Sequence, residues 1–449
     1  MVAANRPAQA GEAQITLFEI YSNYNKPIDV KSGCIELNYY ESILDNSVRL
    51  SATITDTGFR TVKGTGKDSA SVEKDDINLT VGEKVHVKLI DGNQFPLNFV
   101  DDKQFRIEEV RNIDESTNKM LYTIDLFSKE SIDNMKSNLW PVAKFEGEIP
   151  VSTETILKDV LKTPKKITTD RGLNSYTFIG HAEKPFYIIP TLAKKTVPAD
   201  IPNASGVLAG YLFYETYDGF NFRSIDKLFM QKPKKKYIFN NLIRCESGEK
   251  PDGYDGKILD FYFDSSLNLS NLGNTGAMVQ SRNQEFNRMK NTYKENTFDS
   301  TSQYSNPDIL GGIERPKIPV IQDSVTRNFN ALMSDDGILP RGFTLSQQIP
   351  LSQKPNFKMD EILRQSAMRY NSLFAIKLSV AIAGDMSLRA GDVIFCDFPE
   401  LSDKKNTLVS QKKSGNYMIV DICHRITKNG CYTRMNLVRD SIYRKPPKM

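Results

Sequence analysis

Three histidines and five cysteines are the first places to look for chemistry in this chain. None of His86, His181 and His424 stands in an H-E-x-x-H pattern, and none lies at zinc spacing from a cysteine. A metal site built from one segment needs such spacing, because its ligands must converge on one ion. Cys34, Cys245, Cys396, Cys423 and Cys431 include no C-x-x-C pair. An odd number without close spacing reads as reduced thiols, small apolar core residues of a protein folded in cytoplasm. No G-x-S-x-G elbow presents a serine nucleophile, and no P-loop cradles a phosphate. Paired carboxylates such as Asp101–Asp102 recur, but nothing marks one pair as acid and base. We therefore expect no enzyme and assign no catalytic, cofactor-binding or metal-binding residues. His86 and His424 lie mid-strand and read as sheet-face or surface residues. The run KPKKK at 232–236 reads as a solvated link, with phosphate or a localisation receptor as its alternative partner. Trp140, the only tryptophan, is expected to plug the seam where the first β-domain ends.

Composition narrows the class. A chain of 449 residues has room for about two to four domains. With 25% charged and 39% hydrophobic residues it reads as globular and soluble. No stretch approaches the roughly 20 apolar residues of a membrane helix. The N-terminal MVAANRPAQAGEAQ has no apolar core segment, so it reads as a flexible arm and not a signal peptide. A net charge of +4 spread over the chain is too weak to argue for nucleic-acid binding.

The elements follow from periodicity. Residues 13–145 alternate with period two: Ile35, Leu37 and Tyr39, then Val48, Leu50, Ala52 and Ile54, then Val85, Val87 and Leu89. Short half-buried strands separated by turn residues predict an antiparallel sheet or barrel. Residues 146–236 change to a mixed α/β pattern, with helices expected over 152–162 and 184–196 and a break or kink at Pro190. Within it, AGYLFYETYDGFNFRSIDKLF predicts strand, turn, strand and helix. Asp218 and Gly219 supply the turn, Phe220 and Phe222 the apolar load, Arg223 a carboxylate partner, and Ser224 or Asp226 the helix cap. Residues 237–345 form a polar, partly extended insertion with the first elements of the second half and a possible helix at 277–293. Alternation returns in 346–449, after a helix over 359–371.

The second alternating region repeats the first. LTVGEKVHVKL (79–89) matches LRAGDVIFCDF (388–398), and QFRIEEVRNI (104–113) matches NYMIVDICHRI (416–426). YTIDLFSKESI (122–132) matches YTRMNLVRDSI (432–442). The repeated positions are Gly82, Tyr122 and Thr123 against Gly391, Tyr432 and Thr433. Three strands in order, at nearly equal spacing, point to two similar β-domains in one chain.

With these residues in view, the sequence resembles the central baseplate hub proteins of T-even-type contractile-tailed bacteriophages. IELNYYESILDNSVRLSATITDTG, KPFYIIPTLAKK and AGYLFYETYDGFNFRSIDKL carry the resemblance, with the closing strand series. It implies a mainly β fold: two antiparallel barrel-like tube domains, 13–145 and 346–449, and an α/β connecting domain, 146–236, behind an arm, 1–12. It implies a homotrimer whose six tube domains form a pseudo-six-fold ring. That ring would join a trimeric cell-puncturing spike to the six-fold tail tube or its initiator, amid baseplate wedges. DNA would pass through without specific binding, along a lumen neutral or acidic in charge, with the 232–236 run away from it. The expected place is the virion tail, assembled in host cytoplasm, with no cofactor and no membrane span. A tail adhesin, a tail-associated cell-wall hydrolase and a needle protein of a contractile secretion machine are the alternatives.

Overall fold

The computed structural model describes residues 11–21, 27–56, 79–116, 119–140, 142–199, 209–239, 256–264, 280–287, 291–299, 312–314, 327–331, 359–400 and 409–444. Cys245 and most of the polar insertion lie outside them.

Beside two short strands, Ile28–Asp29 and Pro96–Phe99, six longer strands build the first β-domain. They are β1 (Ala13–Tyr21), β2 (Cys34–Ser42), β3 (Arg49–Asp56), β4 (Lys84–Asp91), β5 (Phe105–Ser116) and β6 (Lys119–Ser128). They pair antiparallel in the order β1-β4-β5-β6-β3-β2. Alternation sends Phe18, Leu37, Leu50, Val87 and Ile124 into one apolar core and leaves their neighbours outside.

After β6 comes α1 (Lys129–Lys136), and the connecting domain then brings α2 (Ile149–Thr155), extended by a wider turn over Ile156–Val160. Then come β7 (Ile167–Thr169), α3 (Pro185–Ala193), β8 (Tyr211–Thr216), β9 (Gly219–Ser224) and α4 (Ile225–Phe229). The small sheet runs β7-β9-β8, with β9 parallel to β7 and antiparallel to β8. The helix α3 runs through Pro190 without a break.

The second β-domain is a closed six-stranded barrel. It uses β10 (Lys236–Phe239) and β11 (Lys257–Asp264). The chain then makes a polar three-stranded sheet from β12 (Gln280–Asn287), β13 (Thr292–Asp299) and β14 (Arg327–Ala331). It returns through α5 (Met359–Leu373) to β15 (Ile376–Ala383), β16 (Val393–Asp397), β17 (Gly415–Thr427) and β18 (Gly430–Arg439). The barrel order is β17-β16-β10-β11-β15-β18, and β18 pairs back onto β17. The barrel therefore takes two strands from upstream of residue 346. The helix expected at 277–293 is instead the hairpin of β12 and β13, because QSRNQEFN has no helical apolar stripe.

Five strands of the two β-domains correspond. The series β2-β3-β6-β5-β4 and β11-β15-β18-β17-β16 have the same order and the same antiparallel pairing. Their irregularities coincide. Bulges fall at Cys34/Glu36 in β2 and Ile258/Asp260 in β11, and at Ile107/Glu109 in β5 and Ile419/Asp421 in β17. Gly82 and Gly391 both adopt left-handed φ, +87° and +86°. The Gly82 N–H donates to the Ile107 carbonyl at 2.7 Å, and the Gly391 N–H to the Ile419 carbonyl at 2.8 Å. Chance β-meanders do not share bulge positions, so the matching is architectural.

The two β-domains are also one sheet. Along its second half, β17 pairs antiparallel with β2, from Asp421 opposite Ser42 to Thr427 opposite Glu36.

Candidate functional site

The turn between β8 and β9 is where all three domains meet. Gly219 has φ +130°, and a Cβ there would lie 2.1 Å from the Lys166 carbonyl oxygen, so only glycine fits. The turn holds Tyr217 and Asp218 against both β-domains. Glu41, at the end of β2, is buried beneath it. Glu41 Oε1 accepts from the Tyr39 hydroxyl and the Tyr217 N–H, each at 2.8 Å, and Oε2 accepts from the Ala390 N–H at 2.9 Å. One carboxylate thus binds backbone of the connecting domain and of the loop before β16. Burial raises the Glu41 carboxyl above the usual range, while Arg389 and these N–H donors pull it back.

Arg389 completes the junction. Its Nε lies 3.2 Å from Asp218 Oδ2 and 3.8 Å from Glu41 Oε1. Its Nη1 donates to the Met386 and Leu388 carbonyls at 2.7 and 2.8 Å. The guanidinium lies 4.9 Å from the Tyr217 ring and 5.3 Å from the Phe95 ring. Lys103 sits 3.7 Å from the centre of the Tyr217 ring, and Phe99 packs edge-on to it at 5.4 Å. A second buried cluster pins the connecting domain to the first β-domain. Lys165 Nζ lies 2.6 Å from Glu130 Oε2 and 2.5 Å from Glu215 Oε1, and Glu215 Oε2 accepts from the Val48 N–H at 3.0 Å. Burial works against the Lys165 charge, and the two carboxylates overcome it.

The seam between β2 and β17 carries a trough of about 680 Å³, lined by Tyr40, Arg49, Arg111, Asp125, Cys423 and Arg434 among others. Its charges are largely matched. Arg111 pairs with Asp125, Arg49 with Asp45 at 3.2 Å, and nearby Arg425 with Glu36 at 2.9 Å. Among the described residues no group of three or more His, Cys, Asp or Glu side chains is placed to hold a metal ion.

The structure distributes the singled-out residues as follows. Phe220 and Phe222 are fully buried in the connecting-domain core. Arg223 forms an ion pair with Asp170 at 3.5 Å. Ser224 is the N-cap residue of α4 but makes no side-chain cap hydrogen bond. Asp226, in the first turn, binds buried Arg369 of α5 and so ties the connecting domain to the helix before β15. Gly82 and Gly391 occupy equivalent strand entries. The two Tyr-Thr pairs do not coincide. Tyr122 pairs with Ile54 and is 2% exposed, whereas Tyr432 is 44% exposed and Thr433 takes the place opposite Ile382. Thr123 Oγ1 lies 3.2 Å from Thr53 Oγ1. Thr433 Oγ1 lies 2.9 Å from Nδ1 of His424, and His424 is fully buried and stacked on Tyr39.

Two lesser expectations fail in whole or in part. Trp140 is 62% exposed and plugs nothing. The 232–236 run is solvated only at its start: Lys232, Pro233 and Lys234 are exposed, but Lys234, Lys235 and Lys236 pair with Asp392, Asp385 and Asp397 at 2.8, 2.6 and 3.4 Å. Its backbone also enters the second barrel, with the Lys234 N–H donating to Val393. The junction residues Glu41, Tyr217 and Arg389 were not anticipated. Glu41 had a signal: it continues the inward phase of Leu37 and Tyr39, where a carboxylate requires buried donors.

No protein-family model and no curated protein matches the sequence. Solved structures do resemble the fold. The 43 kDa tail protein of prophage MuSo2 from Shewanella oneidensis superposes with a TM-score of 0.51 at 8% identity, covering 94% of this chain and 98% of that one. The fold is similar to that of a prophage tail protein. Two looser likenesses are a tail protein from Neisseria meningitidis MC58 (TM-score 0.49, 8% identity, 95% and 97% covered) and an Escherichia coli type VI secretion component (0.43, 7%, 96% and 79%). The latter is described as structurally similar to T4 bacteriophage tail proteins gp27 and gp5.

Proposed function

We propose that this chain is the structural hub of a bacteriophage tail baseplate. Three copies would form a pseudo-six-fold ring between a trimeric spike and the six-fold tail tube, with wedge proteins around it. The observation that carries the reading is the pair of like β-domains joined edge to edge in one sheet. A repeated domain lets a three-fold assembly present six similar surfaces to a six-fold partner. The likeness in fold to a tail protein, over nearly the whole of both chains, supports the same reading.

In this reading the chain has no catalytic role and needs no cofactor. The buried charges at its junctions hold domains in place. The face carrying the seam trough would line the conduit, because its arginines are matched by carboxylates and offer phosphate little net attraction. Light scattering on the purified chain, alone and with a candidate spike, tests the proposal. A trimer in either condition is expected. A monomer in both overturns the hub role.

A further inference from the structure

Where α1 ends and α3 begins, large apolar side chains face water together. Met135 sits in the last turn of α1 and Tyr187 in the first turn of α3, and both are exposed. Trp140 and Val142 lie in the loop after α1, and Val142 is 88% exposed. Hydrogen bonds hold these segments side by side. Lys184 Nζ donates to the Met135 carbonyl at 2.7 Å, and the Phe186 N–H to Asn134 Oδ1 at 2.9 Å. The Leu139 N–H donates to the Glu183 carbonyl at 2.9 Å, and the Ala182 N–H to the Leu139 carbonyl at 2.7 Å. Gly180 lets the backbones close, since a Cβ there would lie 2.4 Å from the Leu139 carbonyl oxygen and 2.5 Å from that of Trp140. Exposed Leu44, in the loop after β2, reaches the same place, because Asn46 Nδ2 donates to the Phe186 carbonyl at 2.9 Å. Five large apolar residues on one such surface mark a contact site.

We propose that this surface docks on an anionic lipid bilayer. Tryptophan and tyrosine join an apolar ring to a polar handle and favour the boundary between hydrocarbon and water. Leu44, Met135 and Val142 add apolar contact beside them. The charges fit negative headgroups. Residues 134–145 and 180–187 hold three lysines, Lys136, Lys144 and Lys184, against one carboxylate, Glu183. Lys144 pairs with Glu146, but among the described residues Lys136 and Lys184 pair with no carboxylate. A lysine can lay its stem along apolar neighbours and hold its ammonium at the level of the headgroups. Protein interfaces are depleted of lysine, so lysines set between exposed aromatic and aliphatic side chains favour lipid over protein. The contact is interfacial, of the kind an amphipathic surface makes. It belongs to the single chain and holds whether or not three chains form a ring.

Trp140 is the only tryptophan, so the full-length chain carries its own reporter. Vesicles of equal parts phosphatidylcholine and phosphatidylglycerol should shift its emission to the blue, and brominated lipid in them should quench it. Vesicles of phosphatidylcholine alone should bind roughly tenfold more weakly. In co-sedimentation, Trp140→Ala/Tyr187→Ala should lower binding about tenfold or more. Lys136→Glu/Lys184→Glu should do the same on the anionic vesicles, with thermal melting unchanged in both variants. Tyr432→Ala removes an exposed tyrosine of the second barrel and should bind like the wild type. An emission unmoved by anionic vesicles overturns the proposal. So does a loss of binding in Tyr432→Ala as large as that in Trp140→Ala/Tyr187→Ala. A blue shift that grows with protein concentration in the absence of lipid would assign the surface to protein contact instead, and overturns it too.

Discussion

His424 carries a consequence of burial that is measurable in solution. It is fully buried beside Thr433 and Tyr39, and burial first, then the positive charge of Arg389, lowers its pKa from 6.5 to about 3. The folded imidazole is therefore neutral, and the unfolded chain binds a proton the folded one refuses. Stability from this group is complete above pH 6.5 and falls as pH drops toward 3, by on the order of 4 kcal/mol. Denaturant melts across that range should show the loss, and His424→Gln should flatten the slope. An unchanged slope in the variant would place the acid sensitivity elsewhere. Gly219 offers a second test. A side chain there meets the Lys166 carbonyl and forces φ out of its +130° value. Gly219→Ala should cost about 1–3 kcal/mol, and a variant that melts with the wild type refutes the tight-turn account.

At the scale of elements, the hairpin of β8 and β9 is the piece the others lean on. Phe222 is fully buried between β7 and β8 and packs near Tyr211, with ring centres 5.1 Å apart. Phe222→Ala should lower stability by about 3–5 kcal/mol in chemical denaturation, and a loss below 1 kcal/mol would mean the hairpin is not an anchor. This hairpin was legible in the sequence because a turn dipeptide and an apolar alternation are local signals. The strand series and its duplication were legible for the same reason. The second β-domain's true start was not. Strands β10 and β11 are short or exposed along one edge, and they earn their place only by pairing with β15 and β16, far away in sequence. The junction of Glu41, Asp218 and Arg389 was hidden similarly, since a charged residue gives no periodic sign of the partner that buries it. The Tyr-Thr repeat misled by one position, because β18 differs from β6 by one residue between its tyrosine and its shared leucine.

For the molecule as a whole, the charge pattern makes a prediction about cargo. If the seam face lines a conduit, double-stranded DNA should pass it without being held. Filter binding at about 0.15 M salt should detect no retention of DNA by the assembled chain, and a salt-dependent affinity with several phosphate contacts would argue for a gripping wall instead. The sheet that joins the two β-domains bears on a different matter, the making of the protein. Ser42 on β2 bonds Asp421 on β17 at a separation of 379 residues. A ribosome adding about 5–20 residues per second needs roughly 20–75 s to span that distance. During that interval the partner strand of β2's second edge is not yet made. A first β-domain that folded on the ribosome would therefore carry an unpaired edge for most of the chain's synthesis, and unpaired edges invite aggregation.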